Sequence, residues 1–518
     1  MINFFKNLNA EKAILVLLLI GYVLFQLPFM HLDLWNDEIY TLKYFTFVSP
    51  LQTITDYQAP NNHILFNLVN NFYLRVIGER SIYALMEHPW VVRVISLFYS
   101  FGTIFFTFKC AEKISGGATA VLSVIFLCST VPYYNYAVEI RGYSLSIFLI
   151  TAISYYLFCY WETPGRSLLY RIIFLAAAAV YAIPLNLYPI AGMCFFLCVM
   201  LIVSFVFRNR NDANSNSFFN RKKNSVMIVA LTGGVLVALL LYAGIFRQVF
   251  FNEFVVSDDE FSSAKWFALT KEVFVSFFSF RYWILPLMFI GLCSQVYQFV
   301  KKKSKKEFVF FFFLLVMLMF PFLISFMRKD ASPDRTFVNL IPFFVLLLAW
   351  VINGVVILFP GKKIRSLLLI FVAGYCFVNL SQQLNKVSDH LLNDILTSGR
   401  SHNLYYNYYL AHFRPLNVVK KFKESVYHDG DFVVIRDAEP HDLPEYLTKY
   451  NIPVHDFSLT DSVLRSGKKV FLFSRYPNEI VNDSFGKQHQ CNVKLISEGL
   501  TYHNLFELER KAGTEANQ

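Results

Sequence analysis

Two adjacent carboxylates are the first sign of chemistry in this chain. Asp37 and Glu38 sit in Asp33-Leu34-Trp35-Asn36-Asp37-Glu38-Ile39-Tyr40, directly after the first long apolar run at residues 13–32. Acidic side chains are costly in or near a bilayer, so a pair at the edge of a span needs a reason. Neighbours on a helix point about 100° apart, so at most one of the two can aim straight at a shared site. The spacing therefore predicts a division of labour: one carboxylate faces a reacting centre, and the other orients it or holds a local partner. A carboxylate so placed suits a general base for a hydroxyl or amine. The competing reading is structural, since Asn36 is a good N-cap residue and acids in the first turn favour the helix dipole.

Three further polar clusters have a bland and a functional reading. Ala59-Pro60-Asn61-Asn62-His63-Ile64-Leu65 reads as a turn into a helix. His63 and Asn62 either sit at its capped start or line a polar cavity. Tyr133-Tyr134-Asn135-Tyr136-Ala137-Val138-Glu139-Ile140-Arg141-Gly142-Tyr143 holds more tyrosines than an interfacial belt requires. Glu139 and Arg141 either satisfy each other or present a donor for phosphate at the mouth of a span. Asp334-Arg335, followed by Pro342, is either an interfacial anchor or a second anion clamp. Arg93 is a weaker candidate of the same kind.

The elements that must position these groups are membrane helices. The chain is 56% hydrophobic and only 16% charged, with mean hydropathy +0.44; a water-soluble protein carries about 25% charge. Runs of about 20 apolar residues recur through the first 380 positions. About eleven spans are expected, near 13–32, 90–110, 115–132, 142–160, 168–186, 188–207, 226–246, 282–300, 308–327, 337–357 and 365–381. The first run is too long for a cleaved signal peptide and lacks a small-residue cleavage site.

Loop charge sets the expected topology. Basic, nearly acid-free loops carry Lys109 and Lys113, Arg166 and Arg171, Arg208 to Lys223, Lys301 to Lys306, and Lys362 to Arg365, and should be cytoplasmic. The other set, residues 33–89, 133–141, 247–281 and 328–336, should face outward, leaving the amino terminus inside. The net charge of +11 then follows from loops facing an anionic leaflet and calls for no nucleic acid.

Residues 1–384 are read as the membrane domain, with first outer loop 33–89. Residues 385–518 are read as a small extracytoplasmic α/β domain. Asp431 to Ile435, Val454 to Phe457 and Lys469 to Phe473 are expected as short strands, with helices over His441 to Tyr450 and Asp461 to Arg465. This tail has no glycine-rich phosphate loop and no nucleophile elbow. The eight cysteines show no metal-ligand spacing and read as small apolar residues.

All the polar clusters thus fall on one membrane face: carboxylates, a histidine, amides and arginines. This inventory suits binding a phosphate-containing lipid and activating a nucleophile. A transport path would also place polar groups at mid-membrane depth, yet Phe308 to Met319 and Val226 to Leu241 are almost free of them.

The order of motifs is one span, Trp-x-Asp-Glu, Pro-Asn-Asn-His-x-Leu, Glu-x-Arg-Gly-Tyr-Ser-Leu, and a late Arg with Pro seven residues on. It resembles the C-type (GT-C) membrane glycosyltransferases. The nearer branches are the protein O-mannosyltransferases, the aminoarabinose transferases and the bacterial galacturonosyl transferases. Where many relatives have His-Pro-Pro-Leu, this chain has Asn61-Asn62-His63-Ile64-Leu65. Over about residues 10–380, the resemblance implies a multi-pass protein of the bacterial plasma membrane. Such a protein transfers a sugar, with inversion, from a polyprenyl-phosphate-sugar donor to a lipid, glycan or protein acceptor on the outer face. It makes Asp37 the base and Glu38 its support. His63 would lie beside donor or acceptor, with Glu139, Arg141 and Tyr143 in the second outer loop of the site and Arg335 on the lipid phosphate. Some relatives use a divalent metal and others none; Asp37 with Glu139 offers hard oxygen ligands for one. The rival functions are a lipid-linked glycan polymerase or ligase, and a non-enzymatic flippase or transporter.

Overall fold

The computed structural model describes residues 10–206, 218–252, 261–279, 281–302, 305–329, 334–359, 361–398, 415–436, 443–474, 481, 486–487, 489–497 and 504–511. A helix answers each of the eleven expected apolar runs. Among the described residues, nine of the helices are long and apolar enough to cross a membrane, from Ala13–Met30 to Lys363–Gln383. The other two are shorter. Gly117–Cys128 has 12 residues and Arg166–Ala182 has 17. In lipid the backbone has no partner but itself, which is why these runs close into helices.

Gly117–Cys128 is short because it is central. It is buried from Thr119 to Cys128 and packs against Ala10–Met30, Trp90–Ser115, Ile341–Val356 and Lys362–Ser398. It ends where Ser129 and Thr130 turn their hydroxyls back onto the Ile125 and Phe126 carbonyls, at 2.7 and 2.6 Å. A helix sheathed by others need not match the lipid thickness.

The two classes of loop gather separately. On the basic side, Glu162 takes ion pairs from Lys113 (2.6 Å) and Lys306 (3.2 Å), and Lys306 also donates to the Lys113 carbonyl. The mixed-charge loops come together around Asp37 (below).

The tail carries a four-stranded mixed sheet, order β1-β2-β4-β3, with β1 Phe432–Arg436, β2 Val470–Ser474, β3 Cys491–Ser497 and β4 Asn504–Arg510. β1 and β2 are parallel, with Val434 opposite Leu472. β4 runs antiparallel to both β2 and β3. Helices Leu443–Lys449 and Thr460–Arg465 lie where helical connections are expected; residues 441 and 442 lie outside the described residues. The expected strand at Val454 to Phe457 is instead a loop leading into a 3-10 turn at Phe457–Leu459. His455 there touches β1 only locally, its N–H donating to the Val433 carbonyl at 2.8 Å.

Helices Ile284–Lys302 and Ile341–Val356 meet at a glycine pair. A Cβ on Gly291 would collide with the Val351 carbonyl, and one on Gly354 with the Gly291 carbonyl. Gly374 has open space around it. Forced overpacking costs about 1–3 kcal/mol. Gly291→Val is therefore expected to lower the thermal unfolding midpoint in detergent by several degrees, with Gly374→Val nearly neutral.

Candidate active site

The acidic turn is built on Arg93. The short helix Asn36–Thr41 follows the first span, with Trp35 rather than Asn36 as its N-cap. Glu38 is buried and receives Arg93 at both oxygens, at 2.7 Å from Nη2 and 3.4 Å from Nε. It also accepts the Ile140 N–H at 2.9 Å and the Trp35 N–H at 3.4 Å. Arg93 spends its remaining donors on the carbonyls of Phe29 (3.0 Å), Met30 (3.3 Å), Leu32 and Asp33 (3.3 Å). One guanidinium thus caps the end of the first span, at Met30, and holds the carboxylate eight residues beyond it. Arg93 serves the chain itself here, and the anion-clamp reading of it falls away.

Asp37 points elsewhere, as the spacing requires. Its Oδ2 lies 2.6 Å from Arg141 Nη1 and 3.7 Å from Arg335 Nη1, and its Oδ1 accepts from Asn36 at 3.2 Å. The Asp37 side chain is 15% exposed and that of Arg335 29%, whereas Arg141 is buried. Arg141 also donates to the Asn61 side-chain oxygen and reaches within 4.0 Å of Glu139. Two guanidiniums therefore converge on one carboxylate oxygen at a partly exposed edge of the site.

His63 is the N-cap of helix Ile64–Val76 and is buried. Its Nδ1 accepts the Gly142 N–H at 2.8 Å, so the neutral ring carries its proton on Nε2. Burial, with the Arg141 and Arg335 charges, holds its pKa well below the ordinary value. A Cβ on Gly142 would come within 2.8 Å of the His63 Cβ, which explains the glycine after Arg141. Tyr143 stands edge-on to His63 at 5.2 Å and lies 5.1 Å from the Arg141 guanidinium. Asn62 faces away from these groups. It donates to the Thr53 and Asp56 carbonyls at 2.8 and 2.6 Å and accepts from Asn67 at 3.0 Å, tying the turn together. Its neighbour Asn61, not singled out from the sequence, is the amide that meets Arg141.

Three polar knots inside the bundle set these loops. On helix Trp90–Ser115, Ser96 donates to the Glu139 carbonyl at 2.7 Å, and Ser100 joins Tyr22 (2.9 Å) and Tyr133 (2.8 Å). Arg93, Ser96, Ser100, Thr103 and Thr107 are all buried. They recur every three or four residues, one polar stripe on an otherwise apolar helix, and that stripe is visible in the sequence. Arg281 donates to Ser129 (2.6 Å) and Thr130 (3.0 Å), fixing the start of the second loop. Asn186 accepts from Ser146 (2.7 Å) and Asn339 (2.9 Å), which ties the Asp334–Leu340 turn bearing Arg335 to the helix that begins at Tyr143.

Glu139 is the anomaly of the site. It is buried, lines a small cleft of about 30 Å³ beside Asp33, Glu38, Arg93 and Asn135, and neither carboxyl oxygen has a hydrogen-bond partner. Burial pushes its pKa up to about 8, opposed by Arg141 and reinforced by Glu38 and Asp37. Asp37 and Glu139 do not fit a divalent metal, because the Arg141 guanidinium lies against both. Among the described residues no group of three or more His, Cys, Asp or Glu side chains is disposed to hold one.

No family model matches the chain, and no curated protein does. Among solved structures, it is similar to ArnT (aminoarabinose transferase) from Cupriavidus metallidurans in the apo state. The TM-score is 0.52 at 12% identity, over 96% of this chain and 98% of that one. ArnT bound to undecaprenyl phosphate matches with TM-score 0.50 at 12% identity, over 98% and 99% of the two chains. The chain thus shares the fold of ArnT over nearly its whole length.

The Glu139 environment yields a pH test. The unfolded carboxyl ionises near about 4.3, and the folded one near about 8. Between these values the folded state holds the extra proton, so this group's stabilisation is complete below the lower value and is lost as pH rises through the upper one. The thermal midpoint of the wild type is expected to fall further between pH 6 and pH 9 than that of Glu139→Gln, measured side by side.

Proposed function

We propose that the protein is a polyprenyl-phosphate-sugar-dependent glycosyltransferase acting by inversion, with Asp37 as the base. The observation that carries this reading is the shared oxygen: Asp37 Oδ2 meets Arg141 at 2.6 Å and Arg335 at 3.7 Å. The fold shared with ArnT, one of whose structures holds undecaprenyl phosphate, supports the same class of donor.

Two guanidiniums meet one carboxylate at a partly exposed edge of the site. An incoming lipid phosphate draws Arg335 towards itself, because Arg335 is the more exposed of the two. Asp37 keeps Arg141, whose second arm is fixed by Asn61. The freed edge of Asp37 then accepts the proton of the acceptor hydroxyl or amine as it attacks the anomeric carbon. The departing phosphate develops charge against Arg335, where a preorganised cation stabilises it most. The new glycosidic bond forms as the sugar–phosphate bond breaks, and the proton ends on Asp37. Neutral His63 and Tyr143 wall the site and hold Arg141 in place. Glu38 acts through the backbone, by anchoring the turn that carries Asp37.

In this reading the site faces the outside of a bacterial plasma membrane, with the amino terminus cytoplasmic. Residues 385–518 form an outer domain appended to a membrane domain, residues 1–384. The acceptor is a lipid, glycan or protein.

A general base contributes about 10²–10⁴-fold. Asp37→Asn is expected to cut transfer from a polyprenyl-phosphate sugar by at least a hundredfold while expression and folding persist; near-normal transfer would remove Asp37 from the role. Arg335→Ala is expected to raise KM for the donor and lower kcat together. Mass spectrometry of outer glycolipids and glycoproteins, with and without the protein, identifies the sugar and acceptor through the mass that disappears.

A further inference from the structure

The tail does more than follow the membrane domain, for it closes over the acidic turn. The Tyr446 hydroxyl donates to the Leu34 carbonyl at 3.1 Å, and both residues are buried. The Leu416 N–H, one of the unpaired donors at the start of helix Pro415–Ser425, donates to Asp33 Oδ2 at 3.0 Å. Helix Leu443–Lys449 then reaches both flanks of the first loop. Glu445 pairs with Lys43, while Lys449 pairs with Glu87 at 2.8 Å and donates to the Tyr83 carbonyl at 2.8 Å. These contacts come from two separate tail segments and converge on residues 33–43 and 83–87.

From the membrane side, Arg93 grips the same stretch of backbone through the Leu32 and Asp33 carbonyls and Glu38. The turn Leu32–Glu38 is therefore held from two directions, and from it Asp37 turns towards the guanidiniums of Arg141 and Arg335. Catalytic groups misplaced by about 1 Å lose rate by as much as 10²-fold. A second anchor on this turn is what such a tolerance demands.

We infer that the C-terminal domain is a positioning element of the active site, and that Tyr446 is its positioning residue, acting on Asp37 through the Leu34 carbonyl. This rests on the transferase reading for its kinetic consequence but not for its structural one. The pairs Lys43–Glu445 and Lys449–Glu87 each keep one partner exposed; the buried Tyr446 hydroxyl is the discriminating contact.

The test uses the full chain in lipid nanodiscs. Tyr446→Phe removes the hydroxyl and keeps the ring packing. Hydrogen–deuterium exchange of the peptide spanning residues 34–41 is expected to quicken. With an undecaprenyl-phosphate-linked sugar as donor, kcat is expected to fall about three- to tenfold with KM for the donor unchanged, the scale of one net hydrogen bond. Lys449→Glu should quicken exchange in the same peptide, and adding Glu87→Lys should restore it, which guards against a folding artefact. Unchanged exchange in Tyr446→Phe would overturn the inference, as would quickened exchange with unaltered kcat. A wild type that transfers no sugar would refute the transferase reading instead, and exchange would still decide whether the tail holds the turn.

Discussion

The buried ion pair between Glu38 and Arg93 is the constraint on which the rest of the site depends. Both side chains are almost wholly excluded from water, at 2% and 4% exposure. Their charges are tolerable only because Arg93 distributes its donors over Glu38 and four backbone carbonyls. That geometry joins three pieces of chain distant in sequence: the end of the first span, the start of the second, and, through the Ile140 N–H on Glu38, the second loop. Removing one partner from such a pair costs about 3–5 kcal/mol, because it strands the other. In the proposed reaction the pair plays a positioning part only. It fixes where Asp37 stands.

A second electrostatic pattern is layered on this frame. Burial raises the Glu139 pKa to about 8, so its protonated form prevails at neutral pH. The outer edge of the site then holds two guanidiniums against Asp37, with Glu38 and Arg93 paired below. In the proposed function a lipid phosphate joins this edge. The same neutrality leaves Arg141 committed to Asp37 and Asn61. Ionised Glu139, at 4.0 Å, would compete for it.

Much of this was legible in the sequence. The angular rule for adjacent helical residues anticipated that Asp37 and Glu38 would face different partners, and they do. Apolar run length predicted a helix at all eleven positions, but length alone did not show that Gly117–Cys128 is enclosed by its neighbours. Asn61 and Asn62 are indistinguishable as residue types, and only the backbone turn decides which amide meets Arg141. Arg93 looked like an isolated interfacial cation; its role was encoded in the stripe that continues through Ser96 and Ser100. In the tail, β3 and β4 escaped because Cys491–Ser497 and Asn504–Arg510 mix charged and apolar residues instead of forming a clean buried run. Val454 to Phe457 looked like a strand on composition, yet Pro453 precedes it, and it meets β1 through His455, bonded to Val433 and stacked on Phe432, without a strand ladder.

The account's central claim is that the adjacent carboxylates divide between structure and chemistry. The most direct measurement is the thermal unfolding of Glu38→Gln beside that of Asp37→Asn, in the same lipid environment. The account predicts that Glu38→Gln unfolds at a clearly lower temperature, because it strands a buried arginine, and that Asp37→Asn stays much closer to wild type. A loss of stability in Asp37→Asn equal to or greater than that in Glu38→Gln would contradict it.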